Sequence, residues 1–150
     1  MLSQLPFGND EAKLLVEDPL LASLAPYKQL ASFESEAGGI LMGYRRGDHI
    51  HITEATFPSK DDVRSRFRFF RHATHHQRVA LQRWKDTHRT LDYVGEWHTH
   101  PEDDPVPSHI DLKHWREIAA SSRRPMVFVI VGRLSNWIGV GHFGQIHQVP

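Results

Sequence analysis

His98-Thr99-His100-Pro101 and, beyond a proline-rich turn, Ser108-His109-Ile110-Asp111 decide how this chain is read. Residues two apart on a strand point to the same face, so His98 and His100 can address one ion. Asp111 lies eleven residues after His100 and returns to that ion if the chain doubles back. Ser108, with an acid three residues on, has the form of a helix cap. A hydrolytic zinc takes three protein ligands and keeps a fourth position open for water. Two imidazoles, a carboxylate and a hydroxyl at this spacing are the parts of such a site.

The histidine pair alone proves little, because twelve histidines in this chain give about one His-x-His by chance. The sequence carries its own control. His49-Ile50-His51 has the same spacing with no matching Ser or Asp downstream, and reads as an exposed strand face. Specificity therefore comes from Ser108 and Asp111 and from one further element upstream.

A chain of 150 residues is one domain by length, large enough for a proper core. Formal charge is zero, so the molecule as a whole has no attraction to nucleic acid or anionic membrane. The charge is unevenly placed: residues 60–90 hold nine Lys or Arg against three Asp, and residues 91–111 hold six acidic residues and no Lys or Arg. This contrast fits a bound cation beside a polar partner surface, or simply a solvated helix and loop. The absence of cysteine excludes disulfides, Cys zinc sites and cysteine peptidase chemistry. The start lacks a signal-peptide pattern and Met126–Val131 is too short to span a bilayer, so a cytoplasmic protein is expected.

Residues 1–17 read as an N-terminal arm and 18–150 as the domain. Asp18-Pro19 suggests a helix start, with Leu20, Leu21, Leu24, Tyr27 and Leu30 at helical spacing and Pro26 as an interruption. Ile40–Tyr44 and His49–Thr56 make a hairpin about the turn Arg46-Gly47-Asp48. Asp61–Phe70 alternates Val63, Ser65, Phe67 and Phe69 with Arg64, Arg66 and Arg68, a strand with one phenylalanine face and one arginine face. An amphipathic helix over 74–86, a strand over 91–98, a helix from Ser108 to about Ala120, a buried strand at 126–131 and a terminal hairpin over 137–149 complete the order. Strands and helices mix without regular alternation, which implies an α+β fold with a curved mixed sheet flanked by helices.

Hydrolysis at such a site needs a carboxylate to carry a proton from water to the leaving amine, and a donor for the developing oxyanion. Ser108 is the local donor, although capping alone also explains it. The base is open from spacing: Glu96 shares the strand face of the histidines, while Glu34, Glu36 and Glu54 lie on or near the first hairpin. Glu102, Asp103 and Asp104 read as solvated loop acids. The remaining histidines, including His72 and His76 four residues apart, read as surface or core residues.

Glu36-Ala37-Gly38-Gly39-Ile40-Leu41-Met42-Gly43, taken with His98-x-His100-Pro101 and Ser108-x-x-Asp111, resembles the complete JAMM motif of the Mov34/MPN/JAB metallopeptidases. The resemblance spans about residues 19–150. It implies a single MPN/JAB domain with one zinc held by His98, His100 and Asp111, Glu36 as general acid/base, and Ser108 stabilising the oxyanion. Gly38 and Gly39 let the chain pass close to the site, and Glu96 is left a supporting role. More narrowly, Glu36–Arg46, Ser65–Phe69 and Gly95–Pro101 resemble short prokaryotic JAB proteins. These occur in integrative-element and anti-phage operons beside ubiquitin-activating and ubiquitin-conjugating enzyme-like proteins, including cyclic-oligonucleotide signalling systems with a nucleotidyltransferase. The implied activity is cleavage after the C-terminus of a ubiquitin-like modifier or conjugated protein.

Arg66, Phe67 and Arg68 are candidates to receive the modifier's extended tail by strand addition, against the alternative of an internal strand with a solvated arginine face. Other readings remain open: a peptidase that trims a free ubiquitin-like sulfur carrier, and a non-catalytic MPN subunit used for assembly. The second usually lacks a JAMM residue, and none is missing here. RadC-like relatives raise a nucleic-acid alternative, but only the basic band of 60–90 would carry it, so no nucleic acid and no membrane partner is expected.

Overall fold

A computed structural model describes residues 1–8 and 11–150. Its strands are β1 (Leu2–Gln4), β2 (Lys13–Val16), β3 (Gly38–Arg46), β4 (His49–Ala55), β5 (Val63–Ser65), β6 (Arg68–Phe70), β7 (Asp92–Thr99), β8 (Met126–Val131), β9 (Asn136–His142) and β10 (Gln145–Gln148). The helices are α1 (Asp18–Leu24), α2 (Ala73–Asp86) and α3 (His109–Ser121). Eight strands form one mixed sheet in the order β1-β2-β4-β3-β7-β8-β9-β10, parallel at β2–β4 and β7–β8 and antiparallel elsewhere. Register shifts at Leu41/Met42 and Met42/Gly43 bulge β3 against both neighbours, and bulges of this kind bend and twist a strand. The sheet curls so far that Ser3 Oγ on one edge donates to the Pro150 carbonyl beyond the other at 2.6 Å. The α+β architecture expected from the sequence is the one observed.

Alternation along β8 shows how the layers are filled. Val127, Val129 and Val131 pack inside the curl with Leu14, Ile52 and Trp97, while Phe128 and Ile130 pack outside against Trp115 of α3. Both faces of β8 are covered, which is why its six residues are all buried and apolar. A third cluster, Ile40, Met42 and Leu91 with Val79, seats α2 on the outer face.

Two expectations need correction. Residues 1–17 contain strands of the main sheet: β1 and β2 pair antiparallel, β2 pairs with β4, and Leu5, Ala12, Leu14 and Val16 are buried. The polar composition masked this because only alternate residues of these short strands face the core. Residues 61–70 are also not one strand. β5 and β6 form a separate hairpin in which Ser65 faces Arg68 and Arg64 faces Phe69 across a turn at Arg66-Phe67. That turn lacks the Gly, Asn or Asp signature of a two-residue hairpin. Tertiary bonds hold it instead: the Arg66 carbonyl accepts from Gln29 Nε2 at 2.7 Å and its guanidinium donates to the Ala31 carbonyl at 3.0 Å. At α1 the cap is Glu17 rather than Asp18, and Pro26 falls in a 3-10 turn that ends the helical run before Leu30.

Candidate metal centre

The parallel pair β7–β8 must be joined by a crossover, and α3 is that crossover. A crossover helix starts beside the end of the strand it leaves, so the N-terminus of α3 lies next to His98 and His100. Ser108 fixes the start: its Oγ accepts the Asp111 N–H at 3.2 Å, and its own N–H donates to Asp111 Oδ2 at 2.7 Å. This capping box points the Asp111 carboxylate back at the histidines. The intervening prolines lie in a fastened loop, with the Pro101 carbonyl accepting from Arg133 and Pro105 buried against Gly132.

His98 Nε2 and His100 Nε2 are 3.0 Å apart, and each lies 3.3 Å from an Asp111 carboxylate oxygen. Donors placed about 2.0–2.1 Å from a tetrahedral ion are separated by about 3.3 Å along each edge. The triangle therefore fits a tetrahedral divalent ion by size and by donor type. Among the described residues this is the one cluster of three such donors. Burial raises the Asp111 carboxyl, but the two imidazoles outweigh it and hold the group well below the usual carboxylate range.

Of the four glutamates that spacing left open, Glu36 alone faces this triangle. It is 7% exposed, and burial pushes its carboxyl above the ordinary value, partly offset by His98 and His100. Glu34 Oε2 closes a local turn by accepting the Ala31 N–H at 2.7 Å. Glu54 is forked to Arg83 at 2.5 and 2.8 Å. Glu96 is held by Arg71 at 2.7 Å, Tyr93 at 3.2 Å and His114 at 3.4 Å. Despite burial, His114 and Arg71 keep it below the ordinary carboxylate value.

Sequence reasoning missed the residues that hold Glu36 in place. Thr99 points inward between the two histidines; its Oγ1 accepts the Ala37 N–H and donates to Gln29 Oε1, both at 2.9 Å. Gln29, 1% exposed, also donates to the Glu34 and Arg66 carbonyls at 3.1 and 2.7 Å. The Glu36 N–H donates to the Ser65 carbonyl at 2.7 Å, and Arg64 Nε donates to the Glu36 carbonyl at 2.8 Å. At Gly38 an added Cβ would lie 2.6 Å from the Phe69 ring and 2.7 Å from the Trp97 carbonyl, and at Gly39 it would strike the Thr56 carbonyl. Only glycine permits those approaches. The one signal in the sequence was a threonine in the middle of His-x-His.

Arg66, Phe67 and Arg68 sit at the tip of the β5–β6 hairpin, with Phe67 75% exposed and the Arg66 guanidinium 5.4 Å from its ring. The hairpin is anchored by Asp62. Its covered carboxylate accepts the Ser59 and His72 N–H groups at 2.7 and 2.6 Å and meets His76 Nε2 at 3.1 Å. His76 Nδ1 in turn bonds Thr56 Oγ1. His72 and His76 thus serve the loop and share no metal cluster.

A curled mixed sheet presenting two histidines, an aspartate and a buried glutamate at one end defines a JAB-type hydrolase with a metal site. The chain belongs to the family described as prokaryotic homologs of the JAB domain, whose model matches residues 19–140. An Escherichia coli (strain TW11681) protein named CD-NTase/cGAS isopeptidase is 38% identical over 139 residues, covering 92% of this chain and 88% of its own. A Pseudomonas aeruginosa (strain BWHPSA011 / Pa011) protein of the same name is 41% identical over 120 residues, covering 79% and 76%. A Sinorhizobium fredii protein named Probable metalloprotease y4qB is 28% identical over 117 residues, covering 74% and 71%. The solution structure of a Desulfitobacterium hafniense protein shares the fold, with TM-score 0.65 at 15% identity over 90% of this chain and 88% of that one. Among the described residues no helix is long and apolar enough to cross a membrane.

Proposed function

We propose that this chain is a zinc-dependent isopeptidase. It hydrolyses the bond after the C-terminus of a ubiquitin-like modifier or conjugated protein and so releases that protein from its target. The observation that carries this reading is the His98–His100–Asp111 triangle faced by the buried Glu36 carboxyl. The relatives named CD-NTase/cGAS isopeptidase favour a conjugate over a free precursor, and a nucleotidyltransferase of anti-phage signalling as the conjugated protein.

His98, His100 and Asp111 would hold the zinc, which when bound would acidify water and polarise the scissile carbonyl. Glu36 takes a proton from the attacking water at its carboxylate and returns it to the departing amine. A carboxyl raised by burial both accepts and gives up a proton more evenly near neutral pH. The Thr99–Ala37 bond and the Glu36 N–H on the Ser65 carbonyl keep it aimed. The Ser108 hydroxyl, whose oxygen accepts the Asp111 N–H, lies at the exposed helix start and is the donor that turns its proton to the carbonyl oxygen. The hairpin tip at Arg66, Phe67 and Arg68 receives the extended tail.

Zinc per chain, measured in the purified protein and in His98→Ala, is read beside cleavage of a ubiquitin-like fusion with and without chelator. The expected result is about one zinc, absent from the variant, with cleavage that the chelator abolishes. Absence of zinc from both proteins overturns the reading and leaves a binding subunit.

A further inference from the structure

The strand pair that ends in histidines on one side begins in arginines on the other. β3 closes with Tyr44-Arg45-Arg46 and β7 opens at Asp92. Both border an open cavity of about 530 Å³, six residues of strand and therefore roughly 20 Å from His98. Arg89 enters it from the end of α2 and Arg124 from the turn before β8, so four arginines face one carboxylate, Asp92.

Arg45 is the most buried of them. Its side chain is 6% exposed, its Nη1 donates to the Pro125 carbonyl at 2.6 Å and its Nη2 reaches only Met126 sulfur at 3.5 Å. Its Nε has no hydrogen-bond partner. Asp92 stands off at 3.9 Å, half exposed, and accepts the Tyr93 N–H at 2.8 Å. Burial pushes the Arg45 guanidinium below its usual value; Asp92 offsets part of that, and Arg124 adds a smaller repulsion. Among the described residues, Arg46, Arg89 and Arg124 have no carboxylate partner. A buried cation with an idle donor, ringed by further cations, is costly unless an anion joins it.

The rest of the wall is flat. Tyr44 and Trp84 line the same cavity, and the Arg89 guanidinium lies 5.3 Å from the Trp84 ring. Arg89 holds that place from a left-handed backbone, φ 65°, with its N–H on the Trp84 carbonyl at 2.7 Å. Glycine takes this helix-ending conformation more readily.

We propose that this cavity binds a nucleotide, its phosphate oxygens forked by the exposed Arg46 and Arg124 over the buried charge of Arg45 and its base stacked on the Tyr44–Trp84–Arg89 wall. Guanidinium forks match phosphate geometry, and bases stack on aromatic rings and on arginine planes. The volume lies in the range of small-molecule sites. An acidic peptide would satisfy the arginines but leave the flat wall unused. The inference stands apart from the peptidase reading, because none of these residues touches the metal triangle.

The test is calorimetric titration of the full chain with ATP, inorganic triphosphate and a hexaglutamate peptide at fixed ionic strength. ATP is expected to bind about tenfold or more tighter than triphosphate, in line with the gain from stacking one base. Arg124→Ala and Arg46→Ala, both exposed, should each weaken ATP about tenfold without moving the melting temperature or the zinc content. Trp84→Leu should erase the advantage of ATP over triphosphate. Because phosphates also bind metal ions, His98→Ala is titrated in parallel and should bind ATP as the parent does. Equal affinity for ATP and triphosphate, preference for hexaglutamate, or binding lost in His98→Ala and kept in Arg124→Ala would each overturn the assignment.

Discussion

The sheet carries two His-x-His pairs of identical spacing, His98/His100 on β7 and His49/His51 on β4, with opposite fates. On β7 the two Nε2 atoms converge at 3.0 Å and Asp111 completes a triangle. On β4 each ring has its own partner: His49 Nδ1 accepts the Lys13 N–H at 3.1 Å and His51 Nε2 meets Glu17 at 2.6 Å. The spacing is the same; the next element differs. β7 is followed by a crossover helix whose capped first turn returns a carboxylate to the strand end, whereas β4 runs on into a loop toward the β5–β6 hairpin. The middle residues differ too. Ile50 fills the core, and Thr99 fastens the loop of Glu36.

The comparison breaks most sharply at the chemistry. Glu36→Gln should lower kcat by about 10²–10⁴-fold, the usual worth of a general acid/base, while zinc content and melting temperature hold. His98→Ala should lose zinc and turnover together, and His49→Ala should lose neither. If His49→Ala depletes zinc as His98→Ala does, the distinction between the pairs fails. Ser108→Gly comes next, at about 10²–10³-fold in kcat for loss of an oxyanion donor. Glycine keeps most of the cap's stability, within a few tenths of a kcal/mol, so a rate loss without a matching fall in melting temperature separates the two duties of Ser108.

The middle residues give a smaller, cleaner contrast. Thr99→Val keeps the shape but strands the Ala37 N–H and Gln29 Oε1, each costing about 1–3 kcal/mol. Ile50→Val should cost about 0.5–1.5 kcal/mol. Denaturant melts should rank them in that order. Thr99→Val should also slow cleavage with zinc retained, because Glu36 loses its anchor, and Ile50→Val should not. A Thr99→Val protein with full turnover would remove Thr99 from the positioning of Glu36.

How much of this was legible follows from range. The triangle was, because Ser108–Asp111 is a local cap and His98–His100 a local alternation, and local rules act within a few residues. Glu36 was reached only through resemblance, since spacing alone left the base open among Glu34, Glu36, Glu54 and Glu96 and put Glu96 nearest. Their separation rests on long-range partners, such as Arg83 for Glu54 and Arg71 for Glu96. The hairpin at 63–70 was misread for the same reason: its turn is held by Gln29, more than thirty residues away. The N-terminal strands were missed because three- and four-residue strands show almost no period.

The loop beneath that hairpin adds a pH test. Burial keeps His76 below its ordinary pKa even beside Asp62. Burial alone would raise Asp62, but the Ser59 and His72 N–H groups and His76 hold it low. An unfolded His76 therefore takes its proton first, and stability falls as pH drops below about 6.5. A second loss follows below about 3.9, as an unfolded Asp62 protonates before the folded one. Melting temperature against pH should fall through the first window in the parent and flatten there in His76→Gln. An unchanged slope in the variant would place the acid sensitivity elsewhere.

The smallest effect belongs to the control pair. His51 and Glu17 are 29% and 41% exposed at their side chains, and pairs so open to solvent contribute about 0–1 kcal/mol and weaken with salt. Their contact joins β4 to the residue that starts α1, far from any reacting group. His51→Ala should therefore lower the melting temperature by a few degrees at most, about 2–4 °C per kcal/mol in a domain of this size. The shift should shrink in high salt, and turnover should not change. A larger, salt-resistant loss would mean that β2 and α1 dock on the sheet chiefly through this contact, and the second pair would then be a structural device in its own right.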